Sequence, residues 1–153
     1  MVEYLKDEVC FNTAGEGLVF RCNPPPKTKY KWTQFGKNFY LGAFDIKMNA
    51  NKAKAYCIKE GGDLASVEFG GEQDYINSLM AAGGVKDQLT WFGLQYDNLW
   101  RRWGFTDGLE TKFNNWADGE PTYPPKDGTI SFLKEPCAAM NSEGQWLTIE
   151  CSR

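Results

Sequence analysis

Five cysteines are spread along this 153-residue chain, and their spacing rules out several kinds of site. None belongs to a C-x-x-C pair, which disfavours a zinc ribbon or a thioredoxin-type redox centre. Widely spaced cysteines in a small domain are typical of a disulfide framework, which persists only in an oxidising compartment. The alternative is a set of buried thiols, and the odd number leaves one cysteine without a partner within the chain. The five residues are Cys10, Cys22, Cys57, Cys137 and Cys151.

The chain contains no histidine, and this absence excludes many common catalytic centres. Ser-His-Asp and Cys-His pairs cannot form, and the imidazole ligands of catalytic zinc are missing. The 17 Lys and Arg residues against 20 Asp and Glu give a net charge of -3. Such a chain lacks the positive field on which nucleic-acid binders depend. We therefore expect no DNA or RNA partner, and no apolar run is long enough to predict a membrane span.

Periodicity predicts two helices and several short strands. Apolar residues around Gly36 predict two strands, and Trp91 to Leu94 predict a further one. The first helix is expected to begin at Asn49 or Asn51 and to end at the glycines 61 and 62. Its inward face would hold Ala53, Tyr56 and Cys57. The second helix is expected over residues 72–80, with Tyr75, Ile76, Leu79 and Met80 on its inward face.

The fifty residues after the strand at 91–94 contain Gly, Asn, Asp and Pro at short intervals, and this composition predicts long loops. Loops of that length are uncommon unless they carry function, so we expect the binding site there. Aromatic rings in this part of the chain are expected to anchor the loops to the core, because a buried ring offsets the entropy of ordering its neighbours. These rings are Trp91, Trp103, Phe105 and Trp116.

Seven short pieces of the sequence, in order, resemble the C-type lectin-like domain. They are AKAYC at 53–57, GGDLASV at 61–67, EQ at 72–73, WFGL at 91–94, WGFTDG at 103–108, NWADGEP at 115–121, and Cys137 with residues 146–151. Each piece alone is weak, but together they extend over about residues 32–151. The resemblance implies an α+β, C-type lectin-like fold with two helices, antiparallel sheets and a long loop region.

The same resemblance implies a sugar site. In this family a calcium ion bridges the protein to vicinal sugar hydroxyls, and its ligands come from a Glu-Pro-Asn or Gln-Pro-Asp triplet, an acid before the next cysteine and a Trp-Asn-Asp strand. Here the triplet is Glu-Pro-Thr and the strand reads Trp-Leu-Thr. The carbohydrate-binding residues would be Glu120, Thr122, Glu135, Trp146 and Thr148, with Glu120 and Glu135 as metal ligands.

Calcium is the one cofactor that the resemblance suggests, and its site is expected to be much weakened. The ion takes roughly six to eight oxygen ligands. Leu147 stands where the family has an oxygen-bearing side chain, and threonines replace two further ligands. Asp118 and Asp127 are the nearby acids that would compensate.

In this family a closing strand that carries a further cysteine follows the position of Cys151. The expected strand does not follow Cys151 here, and the segment Leu18 to Cys22 resembles it instead. One hypothesis is that the N-terminal segment, residues 1–26, supplies this strand to a domain body at 32–153, as in a circular permutation or from a neighbouring copy. Cys22 would then pair with Cys57, Cys137 with Cys151, and Cys10 would be left over. A second hypothesis pairs Cys10 with Cys22 in a hairpin. A third takes the first residues as the tail of a preceding tandem copy, joined through the linker-like residues 24–31.

The resemblance implies an extracellular recognition module, secreted or part of an ectodomain, that binds glycans through its long loops. The alternative is a calcium-independent protein-binding or cell-adhesion domain with exposed aromatic anchors and arginines. Candidate anchors are Tyr96, Leu99, Trp100, Tyr123 and Phe132, beside Arg101 and Arg102. An enzyme is the least favoured class, because paired carboxylates need a fixed separation and one raised pKa. Cys10 or strand exchange would link the chain to a second copy or a tandem neighbour.

Overall fold

The computed structural model describes residues 2–5, 30–129 and 135–153, with only the backbone of residues 2–5. These residues form an α+β domain of two helices and two antiparallel sheets, as the resemblance implies. Several predictions concern residues outside the described ranges. They are the strand Leu18 to Cys22, the pairings of Cys10 and Cys22, residues 24–29 of the predicted linker and the candidate anchor Phe132.

The first sheet contains β1 (Val2–Leu5), β2 (Thr33–Phe35), β3 (Asn38–Leu41) and β4 (Asp63–Leu64), in the order β2-β3-β1-β4. The turn between β2 and β3 places Gly36 at φ 62°, a conformation that glycine adopts readily. Strand β1 lies between two partners, and Val2 is opposite both Leu41 and Leu64. Residues 2–5 therefore form an inner strand of the first sheet.

Helices α1 (Ala50–Lys59) and α2 (Gly70–Ala82) lie close to their predicted positions. Asn49 caps α1, since its side-chain oxygen accepts a hydrogen bond of 2.9 Å from the backbone N–H of Lys52. Ala53 and Cys57 are buried on its inward face, as predicted. Helix α2 buries Ile76 and Met80 completely.

Helix α2 also buries two polar side chains, Glu72 and Gln73, which the periodicity did not assign to the core. The Glu72 carboxylate accepts a hydrogen bond of 2.5 Å from the Tyr40 hydroxyl and one of 3.2 Å from the backbone N–H of Glu68. Burial of the charged form raises the pKa of Glu72. Helix α2 is thereby joined to β3 through a buried carboxyl group.

The second sheet contains β5 (Thr90–Asp97), β6 (Arg102–Phe105), β7 (Pro136–Met140) and β8 (Trp146–Glu150), in the order β6-β5-β7-β8. A disulfide joins Cys137 in β7 to Cys151 at the end of β8, which confirms that predicted pair. Gly93 in β5 lies against the backbone of the first sheet, because a Cβ there would stand 2.8 Å from the carbonyl oxygen of Leu64. A side chain at this position would push the two sheets apart.

The larger core surrounds Trp146, whose indole is fully buried. Its Nε1–H donates to Oε1 of Gln73 at 2.8 Å, and the Gln73 amide donates in turn to Asn77 at 2.9 Å. Four rings pack around the indole with centroids 5.1 to 6.4 Å away. They are Phe92, Phe105, Phe113 and Trp116. The core therefore joins α2, the second sheet and the first part of the long loops.

Candidate functional site

The long loop region begins after β6, and residues 106–129 hold no helix or strand beyond a bridge between Trp116 and Trp146. Backbone hydrogen bonds fix this bridge, because the N–H of Trp146 donates to the carbonyl of Asn115 at 2.9 Å and that of Ala117 donates to the carbonyl of Trp146 at 3.0 Å. The Asn115 amide also donates to the carbonyl of Gly144 at 2.8 Å. The loop is therefore tied to β8 at its middle.

A continuous row of aromatic rings, which we name the aromatic row, runs from the core to the loop surface. It consists of Trp146, Trp116, Trp103, Tyr96 and Tyr123, with successive centroid distances of 5.6, 5.0, 5.6 and 4.9 Å. All four contacts are edge-to-face, an arrangement that aromatic pairs favour. The indole N–H of Trp103 also donates to the carbonyl of Tyr123 at 3.0 Å. The prediction that Trp103 and Trp116 anchor the loop to the core is confirmed.

Three of the predicted site residues meet in one turn, which we name the Glu120 turn: Glu120, Thr122 and Thr148. Oε2 of Glu120 accepts hydrogen bonds from the backbone N–H groups of Thr122 and Thr148, at 2.9 and 3.0 Å. The N–H of Thr122 also lies 3.0 Å from Oγ1 of Thr148. The peptide bond before Pro121 is cis. The turn therefore brings the Glu120 carboxylate and the Thr148 hydroxyl together at the backbone N–H of Thr122, an exposed residue.

The other two predicted residues lie elsewhere. Trp146 is completely buried, so its indole offers no surface to a sugar and supports the neighbouring strand instead. The carboxylate of Glu135 lies 3.5 Å from the side-chain amide of Asn51, at the start of α1. Its backbone N–H donates to the Glu150 carboxylate at 3.1 Å. In the register of β7 and β8, Pro136 is opposite Glu150 and Ala138 is opposite Thr148, which places Glu135 beyond the end of the ladder.

The oxygen donors at the Glu120 turn do not fit a calcium centre. Oε2 of Glu120 already accepts two backbone N–H groups, and Glu135 faces Asn51 instead of Glu120. The Asp127 carboxylate accepts hydrogen bonds from the hydroxyl and the backbone N–H of Thr129, and these bonds lower the pKa of that carboxyl. Nowhere in the described part of the chain do three or more acidic or cysteine side chains form a group that could hold a metal ion. Calcium gains affinity from several converging carboxylates, and that convergence is missing here.

A second feature of this face is the hairpin tip between β5 and β6. Leu99 and Trp100 are 82% and 69% exposed. Oδ1 of Asp97 accepts hydrogen bonds from the backbone N–H groups of both residues, at 2.8 and 3.1 Å. Arg101 follows with a φ of 52°, which few residues other than glycine adopt. The tip is therefore an organised turn that presents two large apolar side chains to solvent.

Beside this tip lies an open cleft of ≈ 830 Å³, which we name the hairpin cleft. Residues of β5, of β6 and of the segment 106–111 line it, together with Trp100 at the hairpin tip. Sequence reasoning singled out Tyr96, Trp100 and Arg102 in this cleft only as anchors for a protein partner, and it missed Asn98 and Glu110. The sequence gives only a weak indication that Asn98 and Glu110 belong to a site, because polar residues in a glycine-rich loop are usually solvated.

None of the described helices is long and apolar enough to cross a membrane.

Comparison with known proteins identifies relatives of this domain. The family described as "Lectin C-type domain" matches residues 46–153. The human low affinity immunoglobulin epsilon Fc receptor is 28% identical over 88% of this chain, and the match covers 37% of that receptor. Ladderlectin from Oncorhynchus mykiss is 28% identical over 78% of this chain, which covers 60% of that protein. The chain thus spans less than two thirds of either relative.

Solved structures show the same fold. The carbohydrate-recognition domain of the mouse scavenger receptor C-type lectin aligns with a TM-score of 0.65 and 23% identity, over 80% of this chain and 88% of that one. The Ca²⁺-independent C-type lectin SPL-2 from Saxidomus purpuratus aligns with a TM-score of 0.63 and 23% identity, over 80% and 83% of the two chains.

Proposed function

Since the chain belongs to the lectin C-type domain family, we propose that it is a non-enzymatic recognition module that binds glycans through its long-loop region without calcium. The observation that carries this proposal is the state of the Glu120 carboxylate. Two backbone N–H groups orient it, so it is held in place by the protein alone. The fold accommodates such a function, since SPL-2 is described as a Ca²⁺-independent C-type lectin.

Sugar hydroxyls are donors as well as acceptors, and the Glu120 turn offers partners for both roles. Among the described residues, Oε1 of Glu120 accepts no hydrogen bond, which leaves it open to a sugar hydroxyl. The hydroxyl groups of Thr122 and Thr148 each have a donor hydrogen and acceptor lone pairs. The resemblance of the Glu-Pro triplet to the family's motif suggests mannose- or glucose-like sugars, with vicinal equatorial hydroxyls, as the ligand. Hydrogen bonds to a carboxylate are about twice as strong as neutral ones, so Glu120 would dominate the affinity.

The five predicted carbohydrate-binding residues therefore take different parts in the proposal. Glu120, Thr122 and Thr148 would contact the sugar. Trp146 would position Thr148 from the core, since its backbone holds the loop on β8. Glu135 would lie outside the contact set, because its carboxylate faces α1.

The replacement Glu120→Gln tests the site. It keeps the size of the side chain and removes the charge, so we expect mannose affinity measured by calorimetry to fall about tenfold, as a loss of about 1.4 kcal/mol implies. Glu143→Gln is the matched control, because the described hydrogen bonds of this exposed residue involve its backbone N–H and carbonyl and not its carboxylate. Equal mannose affinity in the two variants would reject the Glu120 turn as the sugar site.

The alternative function is calcium-independent recognition of a protein, and the exposed pair Leu99 and Trp100 is the observation that favours it. Tryptophan and arginine are enriched among the residues that dominate protein interfaces, and Arg101 and Arg102 directly follow this pair. A pulldown with the wild-type domain and a Leu99→Ser variant distinguishes the two functions. A partner that is lost with Leu99 while glycan binding persists would support the alternative.

We further propose an extracellular location. The Cys137–Cys151 disulfide supports it, because such bonds persist in oxidising compartments. A second copy or a tandem neighbour would be joined through Cys10 or through strand exchange, and the mass of the protein in solution with and without reductant tests this association.

A further inference from the structure

The hairpin cleft is a second surface with the chemistry of a sugar site. We propose that this cleft binds the inner residues of a neutral oligosaccharide whose terminal sugar lies at the Glu120 turn, with the indole of Trp100 as the stacking platform. The choice of ligand class rests on the proposed function. The cleft itself stands on its own geometry.

The size and lining of the cleft fit this ligand. Its ≈ 830 Å³ lies in the range of roughly 300 to 1,000 Å³ that is typical of small-molecule sites. Four aromatic side chains line it, and most of the remaining lining side chains carry carboxylate, amide or hydroxyl groups. Sugars have both apolar C–H faces and polar hydroxyl edges, so they match a mixed lining better than an apolar protein segment does.

Trp100 is exposed in a way that no other described tryptophan is. The other five are half-buried or buried, whereas Trp100 is 69% exposed and still lines the cleft. The hydrogen bonds from Leu99 and Trp100 to Asp97 order the turn before any ligand arrives. A platform that is already ordered costs less entropy on binding than a mobile side chain does.

Polar groups around this platform point to recognition of hydroxyls. Oδ1 of Asn98 accepts a hydrogen bond from the Tyr123 hydroxyl at 3.2 Å, which fixes the amide so that its Nδ2 donors are left for a ligand. Oδ1 of Asp97 is used by the turn, and its other oxygen is an acceptor. Glu110 adds an exposed carboxylate to the lining. Arg102 balances one of these acids, so the cleft carries no strong excess of either charge.

Tyr123 connects the cleft to the Glu120 turn. It follows Thr122 directly in the chain, its ring packs edge-to-face on Tyr96, and its carbonyl accepts the indole N–H of Trp103. Tyr96, Asn98 and Trp103 all line the cleft. A ligand longer than one sugar that leaves the Glu120 turn over Tyr123 therefore reaches the cleft.

The experiment compares mannose with a linear mannotetraose by calorimetry, in wild type and in two neighbouring variants. We expect wild type to bind mannotetraose more tightly than mannose. Trp100→Ala should weaken mannotetraose binding roughly five- to tenfold and leave mannose unchanged, in line with the strength of an aromatic contact. Leu99→Ser is the matched control, since Leu99 is even more exposed but does not line the cleft. It should leave both affinities unchanged.

Each other outcome has a definite meaning. Equal affinity for the two sugars in wild type, or full mannotetraose affinity in Trp100→Ala, would overturn the cleft and leave the Glu120 turn intact. Mannotetraose binding that is lost in Trp100→Ala but kept in Glu120→Gln would support the cleft as a sugar site and would reject the Glu120 turn as the place of the terminal sugar. Failure of wild type to bind either sugar would reject both. Equal losses in the Leu99 and Trp100 variants would show that the tip acts as a whole, as a protein-docking surface would.

Discussion

Replacing Trp103 with alanine should detach the long loops from the core, because this residue is the middle of the aromatic row. Its ring contacts Tyr96 and Trp116 at centroid distances of 5.6 and 5.0 Å, and its indole N–H donates to the carbonyl of Tyr123. Each ring pair contributes about 0.5–1.5 kcal/mol, and the hydrogen bond contributes about 0.5–1.5 kcal/mol. Truncating a fully buried tryptophan costs about 3–5 kcal/mol, and Trp103 is only half-buried.

We therefore expect Trp103→Ala to lower the free energy of unfolding by about 3 kcal/mol. For a domain of this size that loss corresponds to a fall of about 6–12 °C in Tm. Thermal unfolding followed by near-UV circular dichroism measures the change, and hydrogen exchange at residues 117–124 reports the loop directly. Trp100→Ala is the control, because an exposed ring should cost less than about 0.5 kcal/mol. Equal Tm values for the two variants would refute the anchoring role of the row.

The other predictions concern the buried carboxyl group and the disulfide. Because the pKa of Glu72 is raised in the folded state, the unfolded state releases this proton first, and stability falls as pH rises from the ordinary value of 4.5 through the raised pKa. Glu72→Gln should remove that fall. In urea unfolding between pH 4 and 8, the free energy of unfolding of the variant should therefore rise relative to that of wild type as pH increases. A difference between the two proteins that stays constant with pH would contradict this expectation. Replacing Cys137 and Cys151 together by alanine should cost about 3 kcal/mol in urea unfolding, because the bond closes a loop of 14 residues. A loss under about 0.5 kcal/mol would show that the bond does not constrain the unfolded chain.

The regular elements of the fold were predictable because local patterns specify them. Asn49 is followed by alanines and Cys57 at helical spacing, and the observed helix has that cap and that buried face. The turn at Gly36 was expected between two apolar runs, and it joins β2 to β3. In each case neighbouring residues carry both the signal and the structure.

The site was predicted only in part, because its geometry depends on contacts between distant residues. Residues 120 and 148 are close together because the bridge between Trp116 and Trp146 brings the loop onto β8. No local pattern shows that Trp146 is completely buried or that Glu135 faces Asn51. Glu72 is another example, since a charged residue on a helix is expected in solvent until a buried partner such as Tyr40 is seen.

We propose that protein groups alone, without calcium, hold the long loops in place. Calorimetric titration with mannotetraose tests this proposal when it is done in about 5 mM calcium and again in excess chelator. We expect binding with the same affinity and the same Tm under both conditions, because backbone N–H groups orient Glu120. Binding that disappears in chelator and returns with calcium would contradict it.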